Sequence, residues 1–174
     1  MYISDHKRIL INEVLKLGLT KPFHKIELND HNEYLAMKIY DNIPVRSTGL
    51  YAIYALTEDR VTNECLYVGE SAWCVNQRIR RFFKELSGYN HPDEEHAAAR
   101  KAKEADYQLY SHEYKVKYIP WDEIYDIADR LSLYTDFNDL DEYIAHHLKS
   151  KYNSSTYLKY GYTGSTLKEF LEAA

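Results

Sequence analysis

The chain has 174 residues, a mass of 20.6 kDa and a formal net charge of -5, with a pI near 5.9. That length fits one decorated domain rather than two, and the acidic balance excludes a protein that coats nucleic acid through bulk positive charge, though not an enzyme with one basic face. No run reaches the roughly 18 apolar residues of a membrane span, no apolar leader core opens the chain, and its two cysteines, Cys65 and Cys74, make neither a disulfide framework nor a four-ligand zinc site, so a reduced, cytoplasmic setting is expected.

Residues 5–17 read as a helix, with Leu10, Val14 and Leu17 on one stripe, Ser4 or Asp5 as the cap and Gly18 as the stop. From Lys21 to Ser47 the pattern is weak, with turns expected at Asn29–Asn32 and Pro44, and residues 1–47 are taken as an N-terminal extension packed on the core. Gly49–Leu56 and Cys65–Gly69 are short apolar runs joined by a polar connector, the pattern of an antiparallel hairpin. Val75, Ile79, Phe82, Phe83 and Leu86 then mark one face of a helix that Gly88 ends. From Pro92 to about Asp106 the composition favours an inserted surface helix; His91 and His96 are read as part of a solvated face, not as metal ligands. Residues 113–119 alternate as a half-buried strand, with Tyr114, Val116 and Tyr118 on one side and Lys115 and Lys117 on the other. Ile124, Ile127, Ala128 and Leu131 suggest a helix. A further one is expected from Asp139 to Ser150, capped by Asn138, and a short last helix from the Thr166/Glu169 capping box. Tyrosine is abundant, 18 against 5 Phe and 2 Trp, and most of it is expected to pack.

The two short strands carry Gly49-Leu50-Tyr51 and Tyr67-Val68-Gly69, the next helix carries Arg78 within NQRIRRFF, and DLDEYIAHHLKSKYN follows farther on. In order and in element type this set resembles the GIY-YIG nuclease family, over residues 48–153. The resemblance implies an α+β fold, a small three-stranded antiparallel sheet flanked by helices, with a core over 48–160 and a tail over 161–174. It also implies a magnesium-dependent endonuclease acting on DNA phosphodiesters, with manganese as an alternative ion. Duplex DNA is the expected partner, RNA is left open, and a homodimer would suit double-strand cutting at a symmetric site.

On that resemblance Tyr51 and Tyr67 line the cleft, with Tyr51 favoured as the base that activates water. Gly49 and Gly69 shape the strands around them. Arg78 clamps the scissile phosphate, because a planar guanidinium offers paired donors to its oxygens; it stands one residue farther along than the motif expects, which an insertion in the loop Ala72-Trp73-Cys74 would explain. A carboxylate supplies the hard oxygen that magnesium prefers; Glu142 has the family's residue type and Asp141 the better spacing to Asn153, whose side chain would hold the motif together. Arg80, Arg81, Lys149 and Lys151 are candidate contacts to the nucleic-acid backbone, and His146 and His147 face DNA or solvent. Two positions depart from the family pattern: Glu70, where a lysine is common, and Phe82, where a tyrosine or histidine is common. They support an alternative, a catalytically degenerate module that binds nucleic acid or a protein partner. A standalone restriction-type or phage-type enzyme remains the preferred reading, since no separate DNA-binding domain is evident.

Overall fold

The computed structural model describes residues 4–31, 34–39, 43–44, 46–88, 96–105, 107 and 113–153. Helix α1 (Asp5–Thr20) starts where Ser4 Oγ accepts the Lys7 N–H at 3.1 Å. It passes Gly18, the expected stop, and ends where the Lys21 N–H bonds back to the Gly18 carbonyl. Strands β1 (His24–His31) and β2 (Tyr34–Ile39) follow as a hairpin, then β3 (Gly49–Leu56) and β4 (Asn63–Ser71) as a second. Helices α2 (Val75–Ser87) and α3 (Ala97–Glu104) precede strand β5 (Tyr114–Pro120), and α4 (Trp121–Arg130) and α5 (Leu140–His147) complete the order.

The α+β class is as expected, but the sheet has five strands, not three. All are antiparallel, in the order β2-β1-β5-β3-β4. The extra pair comes from the N-terminal stretch that showed no clear sequence pattern. Ile26 and Leu28 on β1 stand opposite Ile39 and Met37 on β2, one apolar face of four side chains diluted by Lys25, Glu27 and Lys38. A helix–sheet–helix sandwich results. Tyr51, Ile53, Ala55, Leu66, Tyr114 and Val116 pack beneath α2 and α3, while Leu50, Ala52, Cys65, Val68 and Ile119 pack against α1, α4 and α5.

Helix α2 is the firmest of these contacts. Val75, Ile79, Phe82 and Phe83 are each 0% exposed, and side chains of this size stabilise by about 1.5–3 kcal/mol each when fully buried. Gly88 ends it at φ 83°, a left-handed conformation that suits glycine. The inserted helix α3 is shorter than expected and is not a surface element, since Ala98, Ala99 and Ala102 are buried and it packs on α2. At the start of α5 the cap position belongs to Asp139, at φ 62°, not to Asn138. The anticipated C-terminal helix lies outside the described residues.

Candidate active site

Strand β3 alternates, so Tyr51 turns towards α2 and Tyr54 towards the opposite face. Strand β4 does not alternate throughout. Ile53 pairs with Tyr67 and Tyr54 with Cys65, which leaves Leu66 as the extra residue of a β-bulge. The bulge resets the pleat, so Leu66 and Tyr67 both turn to the α2 face. Without it Tyr67 would share the face of Cys65, away from Tyr51. The two motif tyrosines meet because of that one residue, with ring centroids 6.0 Å apart.

Gly69 stands directly opposite Tyr51 in the ladder. A Cβ there would lie 2.6 Å from the Tyr51 hydroxyl and 2.7 Å from the Tyr67 ring, so any larger residue would push the two phenols away. Gly49 meets a different limit, since a Cβ would lie 2.1 Å from the Ile119 carbonyl oxygen of β5. Both motif glycines are therefore close-approach positions.

The connection from β4 to α2 is hydrogen-bonded at each step. Ser71 Oγ accepts the N–H groups of Trp73 and Cys74, Cys74 Sγ accepts that of Gln77, and the Val75 N–H reaches the Ser47 carbonyl. This fixes the rotation of α2 and sets Arg78, half-buried, beside both tyrosines. Arg78 and Tyr67 approach the Tyr51 hydroxyl closely enough to act on it electrostatically, but neither reaches it with hydrogen-bond geometry. Burial, with the Tyr67 hydroxyl second, holds the Tyr51 phenol far above its ordinary 10, and Arg78 only partly offsets this. The Tyr67 phenol is raised by burial too, lowered by Arg78 and raised by Asp141.

Helix α5 packs against β4 from the other face and sends carboxylates to the rim of the site. Asp141 is the one that acts on Tyr67. Burial first, then Glu70, Glu142 and Asp139, push its carboxyl up to about 7, the Glu142 N–H partly offsetting them. Glu70 is itself raised by burial and by Asp139 and Glu142, so it faces the acids of α5 rather than Arg78. Beyond α5 the Asn153 amide accepts the Val68 N–H at 2.8 Å and donates to the Val68 carbonyl at 2.7 Å. Ser150 Oγ lies within hydrogen-bond reach of Asn153 Oδ1 and of the Leu66 carbonyl, and its single O–H is shared between these two acceptors. The edge of β4 is clamped at the bulge that aims Tyr67.

Tyr51, Tyr67, Arg78 and Asp141 thus converge from four elements, with Asp141 rather than Glu142 as the carboxylate against the phenols. The basic candidates scatter. Arg80 donates to Asn76 and to the Met37 carbonyl, tying α2 to β2. Lys151 pairs with Glu64 at 2.7 Å at the far end of β4. Lys149 is exposed at φ 54°, His146 and His147 lie half-buried in the last turn of α5, and only Arg81 comes near the site, with its Nε buried and without a partner. Among the described residues no three His, Cys, Asp or Glu side chains gather into a metal-binding group, and no helix is long and apolar enough to cross a membrane.

One site residue escaped the sequence reading. His96, at the cap position of α3, is 4% exposed rather than solvated. Its ring packs edge-on against Tyr67 at 4.8 Å and Phe82 at 5.3 Å. No spacing in the sequence announces it, because the inserted helix carries it in from outside the motif; His91 lies outside the described residues. Comparison of the chain with protein-family models, with curated proteins and with solved structures finds no match to any of the three.

Proposed function

We propose that this chain is a metal-dependent endonuclease of the GIY-YIG type, hydrolysing DNA phosphodiester bonds as a standalone restriction-type or phage-type enzyme. The observation that carries the reading is the convergence of Tyr51, Tyr67 and Arg78 around the buried, unbonded Tyr51 hydroxyl, with Asp141 at the rim. Leaving a buried hydroxyl unbonded costs about 1–3 kcal/mol. A fold shaped by stability alone would place phenylalanine at 51.

Arg78 would hold two phosphate oxygens through its paired donors. Tyr51, kept protonated by burial, would donate a third hydrogen bond. Tyr67, less buried and beside Arg78, is better placed than Tyr51 to take the proton of the attacking water. The donor set also fits a hard divalent ion, magnesium or manganese. Asp141 is crowded by Glu70, Glu142 and Asp139 with no cation of the protein among the groups acting on it, and magnesium is commonly held by one or two carboxylates and water. Such an ion, bound at Asp141, would supply charge relief to the phosphate as its charge grows.

The test is cleavage of supercoiled plasmid in magnesium or manganese, by the wild-type chain and by Arg78→Ala. Cleavage lost in the variant supports the reading. A wild-type chain that binds DNA yet leaves it whole in both metals returns the degenerate module instead.

A further inference from the structure

We infer that His96 is a catalytic residue of this site, facing the scissile phosphate beside Arg78 and giving a proton to the leaving oxygen. The inference rests on the nuclease reading above and deepens it.

The ring is 4% exposed, yet neither Nδ1 nor Nε2 has a hydrogen-bond partner in another described residue, and only its own backbone favours the charged form. It does not cap α3 either, although it stands at the cap position. A buried histidine kept for packing normally has at least one nitrogen satisfied. Arg78 and Arg81 of α2 are the charged groups that act on it, and Tyr67 of β4 packs on its ring. Among the described residues, two groups linked to it also have a buried atom without a partner: the hydroxyl of Tyr51, ring neighbour of Tyr67, and Arg81 Nε. The first two are donors, and the imidazole donates from either nitrogen once charged. What they lack is a shared anionic acceptor, and a phosphodiester is one. Among these groups Arg78, Arg81 and Tyr67 are part-exposed and stand on the side from which a phosphate would approach.

Among the described residues no carboxylate acts on His96, and burial with the two arginines holds its imidazole down to about 4 in the free chain, its own backbone only partly offsetting them. The proton therefore has to come with the substrate, because the phosphate brings the negative charge that favours the imidazolium. In the reaction the water oxygen bonds to phosphorus and its proton passes to the Tyr67 hydroxyl oxygen, which releases its own proton to solvent. The bond from phosphorus to the leaving oxygen breaks, and its electron pair stays on that oxygen. That oxygen takes the N–H proton of His96, whose ring returns to neutral imidazole.

The test compares single-turnover cleavage of a duplex, cut position first mapped on plasmid, with the same duplex carrying sulfur in place of the leaving oxygen. A thiolate, whose conjugate acid has a pKa near about 8.5, departs without a proton. His96→Gln should slow the oxygen substrate by about 10²–10⁴ and the sulfur substrate by less than about tenfold. Equal slowing of both overturns the acid role and leaves His96 as packing. A wild-type chain that cuts neither substrate fails the nuclease reading itself, and the inference falls with it. If His96→Gln does not fold, judged by its thermal transition, the wild type alone decides. Calorimetric DNA binding in calcium, in buffers of different ionisation heat at pH 7, should show uptake of close to one proton; no uptake overturns the proposal.

Discussion

The two sides of the candidate site are unbalanced in opposite ways. On the α2–α3 wall, Arg78 and Arg81 crowd His96, and Arg78 also acts on the Tyr51 hydroxyl. On the β4–α5 wall, Glu70, Asp139, Asp141 and Glu142 crowd acids. Elsewhere in the same fold opposite charges do meet: Glu64 pairs with Lys151 at 2.7 Å, Lys21 with Glu123 at 2.6 Å and Arg100 with Glu85 at 3.4 Å. At the candidate site Arg78 from one side and Asp141 from the other both act on Tyr67. Each wall gathers like charge in the free chain; on the proposed nuclease reading an anion would complete the first and a cation the second. Local violations of otherwise consistent packing are expected where function has been selected against stability.

The largest break in the comparison is at Arg78. Arg78→Ala should lower single-turnover cleavage by about 10³, the upper range for loss of one charge-stabilising donor. Arg78→Lys should be nearly as poor, since lysine keeps the charge but not the paired donors. DNA affinity, measured in calcium, should fall far less than the rate, because the contact strengthens as charge develops on the phosphate. Equal losses of affinity and rate would make Arg78 a simple anchor and remove it from the chemistry.

Tyr51→Phe separates function from stability more sharply. The ring keeps its place over Gly69, so cleavage should drop by about 10² while the fold gains about 1 kcal/mol from losing an unbonded hydroxyl. For a chain of this size that is a rise of about 2–4 °C in Tm. Tyr54→Phe, on the opposite face of β3, is the control and should leave cleavage near wild type. A Tyr51→Phe protein that melts lower than wild type would show that its hydroxyl is satisfied after all.

These contrasts also show what a sequence can and cannot carry. Gly49, Tyr51, Gly69, Arg78 and Asn153 were readable because each answers a local demand: a close approach, a strand face, a helix register, an amide that mimics a strand. The bulge at Leu66 was not readable, since only the pairing of β3 with β4 reveals which residue is extra. Nor was the β1–β2 hairpin, because its four apolar side chains mean little until β5 offers them an edge. The choice between Asp141 and Glu142 depends on how α5 rotates against β4. His96 looks solvated in the sequence because the rings it packs on, Tyr67 and Phe82, are far from it along the chain.

On the acidic wall, Asp141→Asn should raise stability in the presence of a chelator. Its folded value of about 7 lies above the ordinary 3.8, so the native chain binds the extra proton. The protonated form stabilises the fold below about pH 4, and that contribution is lost as the pH rises through 7. At pH 8 the variant should therefore exceed wild type by about 2 kcal/mol, and at pH 4 the two should coincide. Urea titrations at both values measure it, with Glu142→Gln as a comparison expected to change less. An equal gain at pH 4 would show that removing the side chain, rather than its charge, was responsible.

The α2–α3 wall should respond to pH in the opposite sense and slightly more weakly. His96 is depressed from 6.5 to about 4, so between those values the unfolded chain binds the proton that the native chain refuses. Stability from the neutral ring is complete above pH 6.5 and is lost as the pH falls towards 4, by about 1.5 kcal/mol. Asp141 gains stability over the overlapping range and masks the loss in the wild type, so the measurement belongs in the Asp141→Asn background. There Tm should fall from pH 7 to pH 4, and adding His96→Gln should flatten the curve, since glutamine has no proton to gain. If the double variant keeps the acid limb, another buried group carries it, and His96 is not the neutral base the geometry describes.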